Sequence, residues 1–115
     1  MNEGSLDRVF GWSAMVGRKL VLVTTDWAPF SDKIAKICED EAAKVGVPFE
    51  VRKDDWIYLT RHGEVDELGG ADVPQVFVET ETQVKHVLTR VPLDEYGKPD
   101  FEKARQLVQR ALEAA

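Results

Sequence analysis

The stretch Leu20-Val21-Leu22-Val23-Thr24-Thr25-Asp26-Trp27-Ala28-Pro29-Phe30-Ser31 decides how this chain is read. Its first six residues form a continuous aliphatic and β-branched run, too short for a helix and apolar on both faces. That is the pattern of a central strand covered from both sides. Asp26 to Phe30 then make a turn. From Ser31 to about Lys44 the residues Ile34, Ile37, Cys38 and Ala42 recur at helical spacing, with Ser31 suited to the N-cap and Gly46 to the end.

Working outward, Val47 to Arg52 alternates and reads as a second strand covered on one face. Strand, helix and strand in that order predict two parallel strands joined by a right-handed crossover. Upstream, Leu6, Val9, Phe10 and Ala14 predict an N-terminal helix over 5–17, begun by Ser5, after a flexible 1–4. Downstream, Trp56, Ile57, Leu59, Val65 and Leu68 predict a helix over 55–69, irregular near Gly63 and ended by Gly69-Gly70. Val73 to Glu79 is a third strand opened by Pro74, where a missing N–H is tolerated. Thr80 to Thr82 turn the chain into a fourth strand, Val84 to Val91, which so short a link makes antiparallel to the third. Pro92 to Pro99 is loop. A last helix starts at Asp100 and turns Phe101, Ala104, Leu107, Val108, Ala111 and Leu112 inward. The expectation is one α/β domain over 1–115, a central four-stranded mixed sheet flanked by helices.

Composition narrows the function. The 115 residues carry 15 basic and 21 acidic side chains, a net charge of −6. No basic stripe exists to neutralise phosphates, so no nucleic-acid partner is expected. No apolar run approaches the roughly 18 residues of a membrane span, and the N-terminus lacks a basic-then-apolar start. A cytoplasmic protein without a membrane partner is expected. The single cysteine, Cys38, excludes an internal disulfide and a multi-cysteine zinc site. It lies on the inner stripe of its helix and reads as a core thiol. His62 and His86 share no ligand spacing, so neither a metal nor a cofactor is expected. Glu39, Asp40 and Glu41 read as a solvated helix face, and Asp54-Asp55 as a helix cap.

Two motifs carry a resemblance. Trp27-Ala28-Pro29-Phe30-Ser31 resembles the Trp-Cys-x-x-Cys turn of the thioredoxin and glutaredoxin families except at the two cysteines. Ala71-Asp72-Val73-Pro74-Gln75-Val76-Phe77-Val78 resembles their segment through the cis-proline. With the element order, the resemblance spans about residues 5–114 and implies the thioredoxin fold. It implies that Ala28 stands at the attacking cysteine's position and Ser31 at the resolving one's. It also implies that Trp27, Pro29, Phe30, Val73 and Pro74 surround the substrate.

The chemistry of that arrangement is physical. A thiol at a helix N-terminus meets unpaired N–H groups and the positive end of the dipole, which lowers its pKa from about 8.5 to between roughly 3.5 and 7.5. Ala28 has no nucleophile, and a helix terminus cannot make the Ser31 hydroxyl acidic at neutrality. As written, the chain is expected not to cycle a disulfide. Two explanations stand. Either it is a Cys-Pro-Phe-Cys thiol–disulfide oxidoreductase with both cysteines replaced, or it is a naturally redox-inactive adaptor that binds an extended peptide. For the first, the implied partners are a protein disulfide substrate and an upstream dithiol reductase. Pro74 is either a cis-proline beside the turn, with Val73 offering its backbone to substrate, or a plain strand-edge proline. Trp27 either packs beside substrate or shields the turn. Leu22 stands where thioredoxins keep a buried acid, and the glutaredoxins' glutathione clamp has no counterpart between Val91 and Phe101. Glutathione is therefore not an expected substrate.

Overall fold

Strand β1 (Lys19–Thr24) occupies the middle of the sheet, as its sequence requires. Leu20, Val21, Leu22 and Val23 have no accessible surface, and their side chains alternate between two separate apolar clusters. A computed structural model describes residues 17–114. The flexible start and the N-terminal helix expected over 5–17 lie outside the described residues, apart from Gly17.

After β1 come α1 (Ser31–Val45), β2 (Phe49–Lys53), α2 (Trp56–His62), β3 (Gln75–Glu79), β4 (Val84–Thr89) and α3 (Phe101–Ala114). The strand order is β2-β1-β3-β4. β2 runs parallel to β1, while β3 is antiparallel to both β1 and β4. The expected mixed four-stranded sheet flanked by helices is therefore present. On one face Leu20, Leu22, Val76 and Val78 pack under Ile34, Ile37, Cys38 and Ala42 of α1 and under Ala104, Val108 and Leu112 of α3. On the other, Val21, Val23 and Phe77 meet Tyr58 and Leu59 of α2, together with Val73 and Ala28. Among the described residues, no helix is long and apolar enough to cross a membrane.

Several boundaries differ from the sequence expectation, each for a local reason. β2 starts at Phe49 because the Val47 N–H is taken by the Ala42 carbonyl at 3.0 Å, which leaves Val47 in the helix exit. That exit needs Gly46, whose φ of 73° lies in the left-handed region. The helix expected over 55–69 stops at His62. Asp55 caps it by accepting the Tyr58 N–H at 3.0 Å, and Gly63 closes it by donating to Leu59 at 2.8 Å. Tyr58 and Leu59 are its buried residues, whereas Val65 and the almost fully exposed Leu68 belong to the following loop. That loop is held by Gln75, fully buried, which bonds the N–H and C=O of Glu64 (3.0 Å each) and the C=O of Asp72 (2.9 Å). β4 ends at Thr89 because Arg90 adopts φ 62°. Glu41 corrects the reading of the acidic run as solvated. It is 3% exposed and is bonded by Arg105 of α3 at 2.5 Å and Lys44 at 2.9 Å.

Candidate functional site

The turn after β1 is a short ladder of backbone bonds. Ala28 N–H reaches the Thr25 carbonyl at 3.2 Å, Ser31 N–H the Ala28 carbonyl at 3.4 Å, and Ile34 N–H the Phe30 carbonyl at 3.0 Å. Phe30 precedes α1 with φ 59°, a left-handed conformation uncommon for a bulky residue. Its ring meets Phe101 edge-on, with centroids 5.5 Å apart, which ties the turn to α3. Ser31 is not the N-cap expected from sequence. It is the first helical residue, and its hydroxyl lies 2.7 Å from the Thr24 hydroxyl instead of capping a helix amide.

Ala28 faces inward. It is 9% exposed and belongs to the cluster that contains Val73, itself 4% exposed. The Val73–Pro74 peptide is cis. The Pro74 carbonyl accepts the Arg90 N–H at 2.7 Å, so β4 continues its pairing past the strand end. Among the described residues, neither the N–H nor the C=O of Val73 forms a backbone hydrogen bond. A groove of about 390 Å³ opens over these segments. Pro29 and Phe30 of the turn, Val73 and Pro74, and the chain from Thr89 to Leu93 line it.

Of the residues expected at the site, Pro29, Phe30, Val73 and Pro74 thus line one groove. Ala28 packs beneath the turn, and Ser31 is tied to the end of β1. Trp27 is 70% exposed and lies outside the groove lining. The sequence reading missed the stretch from Thr89 to Leu93, above all Leu93, which is 63% exposed. Its signal was present in Val91-Pro92-Leu93, an apolar run in a loop, of which Val91 is buried in the core and Leu93 is left at the surface.

Charge at the site is modest. Arg90 is the charged residue of the lining, with Nε 3.5 Å from Asp72 Oδ2. At the outer edge of the turn, Lys53 donates to Asp26 at 2.8 Å, and that hydrogen bond lowers the Asp26 carboxyl below its usual range. Cys38 is fully buried under the sheet, and burial pushes its thiol up to about 12. Leu22, also fully buried, places no carboxyl beneath the turn. His62 stacks edge-on with Tyr58, while His86 bonds the Thr89 hydroxyl at 2.7 Å. Among the described residues, no three His, Cys, Asp or Glu side chains gather as metal ligands would. The groove is thus lined mostly by apolar residues, and among the described residues the Val73 N–H and C=O at it have no backbone partner. The sequence matches no protein-family model and no curated protein.

Proposed function

We propose that this chain has the thioredoxin fold and is a thiol–disulfide oxidoreductase scaffold whose two redox positions hold Ala28 and Ser31. On this reading it receives an extended polypeptide segment in the groove and exchanges no disulfide with it. One observation carries the reading: the turn at the start of α1 and the Val73-Pro74 segment share a single groove. The N–H and C=O of Val73, without a backbone partner among the described residues, let a bound segment add as a short strand, and Leu93 and Phe30 supply apolar contacts to its side chains.

With thiols at positions 28 and 31 the chemistry would run in two steps. The thiolate at 28 attacks one sulfur of a substrate disulfide, forming a mixed disulfide and releasing the other sulfur as thiolate. The thiol at 31, deprotonated, then attacks the sulfur at 28. Substrate leaves as the dithiol, and the 28–31 disulfide is reduced again by an external dithiol. The second reading, an adaptor built without thiols, is favoured by the Ser31–Thr24 hydroxyl pair, which gives serine its own partner at this position.

The double replacement Ala28→Cys and Ser31→Cys tests both, with dithiothreitol as electron source and insulin as substrate. Reduction above the uncatalysed rate supports the oxidoreductase scaffold. An uncatalysed rate, together with retained binding of an extended peptide by the unmodified chain, supports the adaptor. Absence of both activities removes the groove from either role.

A further inference from the structure

Among the described residues β2 has a strand neighbour on one side only, and its other edge is left without a strand partner. Bonds at the two ends of the β1–β2 ladder fix which backbone groups face outward. Leu20 N–H donates to the Pro48 carbonyl and Asp54 N–H to the Thr24 carbonyl, both at 2.9 Å. In the parallel register that pairs Leu22 with Val51, this parity turns Glu50 and Arg52 toward β1. Phe49, Val51 and Lys53 present their N–H and C=O groups to the open side. Val51 is also 44% exposed, an apolar side chain on an unpaired edge, which is the condition under which edges recruit another strand.

We propose that this edge pairs antiparallel with the same edge of a second copy of the chain, about a twofold axis through Val51. The choice of a second copy rests on self-complementarity. Centring on Val51 sets Val51 against itself, Phe49 against Lys53, and Glu50 against Arg52. The first two are hydrogen-bonded pairs, and they use the three residues whose backbone groups face outward. The Glu50–Arg52 pair falls at the non-hydrogen-bonded sites, where facing side chains come closest and opposite charges stabilise. Registers centred on Glu50, Arg52 or Lys53 are worse, because each sets a like charge against itself. Lys53, which would ordinarily protect an edge, faces an aromatic ring in the Val51-centred register. Five residues a side is far below the roughly 20–30 of a standard interface, so the association is reversible and depends on concentration. The product is a sheet of eight strands running through both copies.

Sedimentation equilibrium of the full chain from micromolar to millimolar concentration tests the pairing. The mass is expected to rise from 13.0 kDa toward twice that value. Val51→Lys, which puts two cations on the axis at a half-exposed position, is expected to hold the protein at the mass of one chain with an unchanged circular dichroism spectrum. Hydrogen exchange on the unmodified chain gives a second readout that needs no variant. The amides of Phe49, Val51 and Lys53 should slow as concentration rises, while those of Glu50 and Arg52, bonded within the chain, should not respond. A mass of one chain at millimolar concentration, concentration-independent exchange at the three outward amides, or a Val51→Lys protein that folds and still dimerises would each overturn the proposal.

Discussion

The Ser31 hydroxyl stands 2.7 Å from the Thr24 hydroxyl, joining the first residue of α1 to the last residue of β1. Thr24 is 3% exposed, so its hydroxyl has little access to water as an alternative partner. The bond fixes the entry angle of the helix where the chain supplies no side-chain cap, since Phe30 at the N-cap has no oxygen to offer.

Thr24→Val and Ser31→Ala should each lower stability, and the double variant should lose less than their sum. The coupling expected from a double-mutant cycle is about 0.5–1.5 kcal/mol, the net worth of one hydrogen bond. Denaturant unfolding of the four proteins measures it, and additive losses would show that the two hydroxyls act independently.

Cys38 gives a prediction in the alkaline range. Burial raises its thiol to about 12, above the roughly 8.5 of an unfolded chain. Between those values the unfolded state has released a proton that the folded state keeps, so stability falls as pH rises from about 8.5 to 12. Cys38→Ala should remove that part of the alkaline loss, while costing about 1 kcal/mol at neutral pH through lost packing. In the native protein, modification by a soluble thiol reagent should proceed no faster than opening of the structure. Rapid native labelling would contradict the position of Cys38 on the buried face of α1, packed against the sheet.

Glu41 gives the complementary acid-side prediction. Burial alone would raise its carboxyl, but hydrogen bonds from Lys44, Arg105 and Gln109 outweigh this and leave it below the usual carboxylate range. Its contribution is therefore present above the unfolded value of about 4.3 and is lost as pH falls through the lower folded value. Glu41→Gln should flatten the decline in stability below about pH 4.3 and lower the neutral-pH stability by about 1–3 kcal/mol. Urea midpoints across that pH range measure both effects.

These residues also mark how far the sequence could be read. The run from Leu20 to Val23 is apolar on both faces, and the sheet puts it in the middle because no other position covers both. The same 3.6-residue period that placed Ile34, Ile37 and Cys38 inward runs on to Glu41 and Ala42. Glu41 has two acidic neighbours that suggest a solvated face, whereas its partner Arg105 lies 64 residues away. Apolar spacing alone points Val65 and Leu68 to a helix. The loop they occupy is organised by Gln75, through side-chain bonds that leave no periodic trace. At the groove, the turn and Val73-Pro74 were legible as motifs. The stretch from Thr89 to Leu93 was not, because it depends on Arg90 breaking β4 with a positive φ.

The Gln75 clamp has a steric test. A Cβ added at Gly63 would lie 2.6 Å from Gln75 Oε1 and 3.0 Å from the Leu59 carbonyl. The first contact is closer than atoms tolerate, and the amide cannot retreat without breaking its bonds to Glu64. Gly63→Ala should cost about 1–3 kcal/mol despite the smaller chain entropy that alanine gives the unfolded state. The Glu64 amide, bonded to Gln75 at 3.0 Å, should exchange faster in this variant. Unchanged exchange at Glu64 would mean that the loop is held by something other than the clamp.

Leu93 allows the groove to be tested without disturbing the fold. Its side chain is 63% exposed in a loop and lines the groove together with Phe30, so it contributes little to the core. An apolar peptide side chain lying in the groove would cover it. Leu93→Asp replaces that contact with a carboxylate that must be desolvated, and affinity for a fluorescently labelled extended apolar peptide should fall at least about fivefold, roughly 1 kcal/mol. Ile57 is the control, 69% exposed on α2 and outside the groove lining, so Ile57→Asp should leave affinity unchanged. Both variants should unfold at the midpoint of the unmodified protein. Equal loss in the two would assign peptide binding to general surface hydrophobicity, whereas loss confined to Leu93→Asp places the peptide between Leu93, Phe30 and the backbone of Val73.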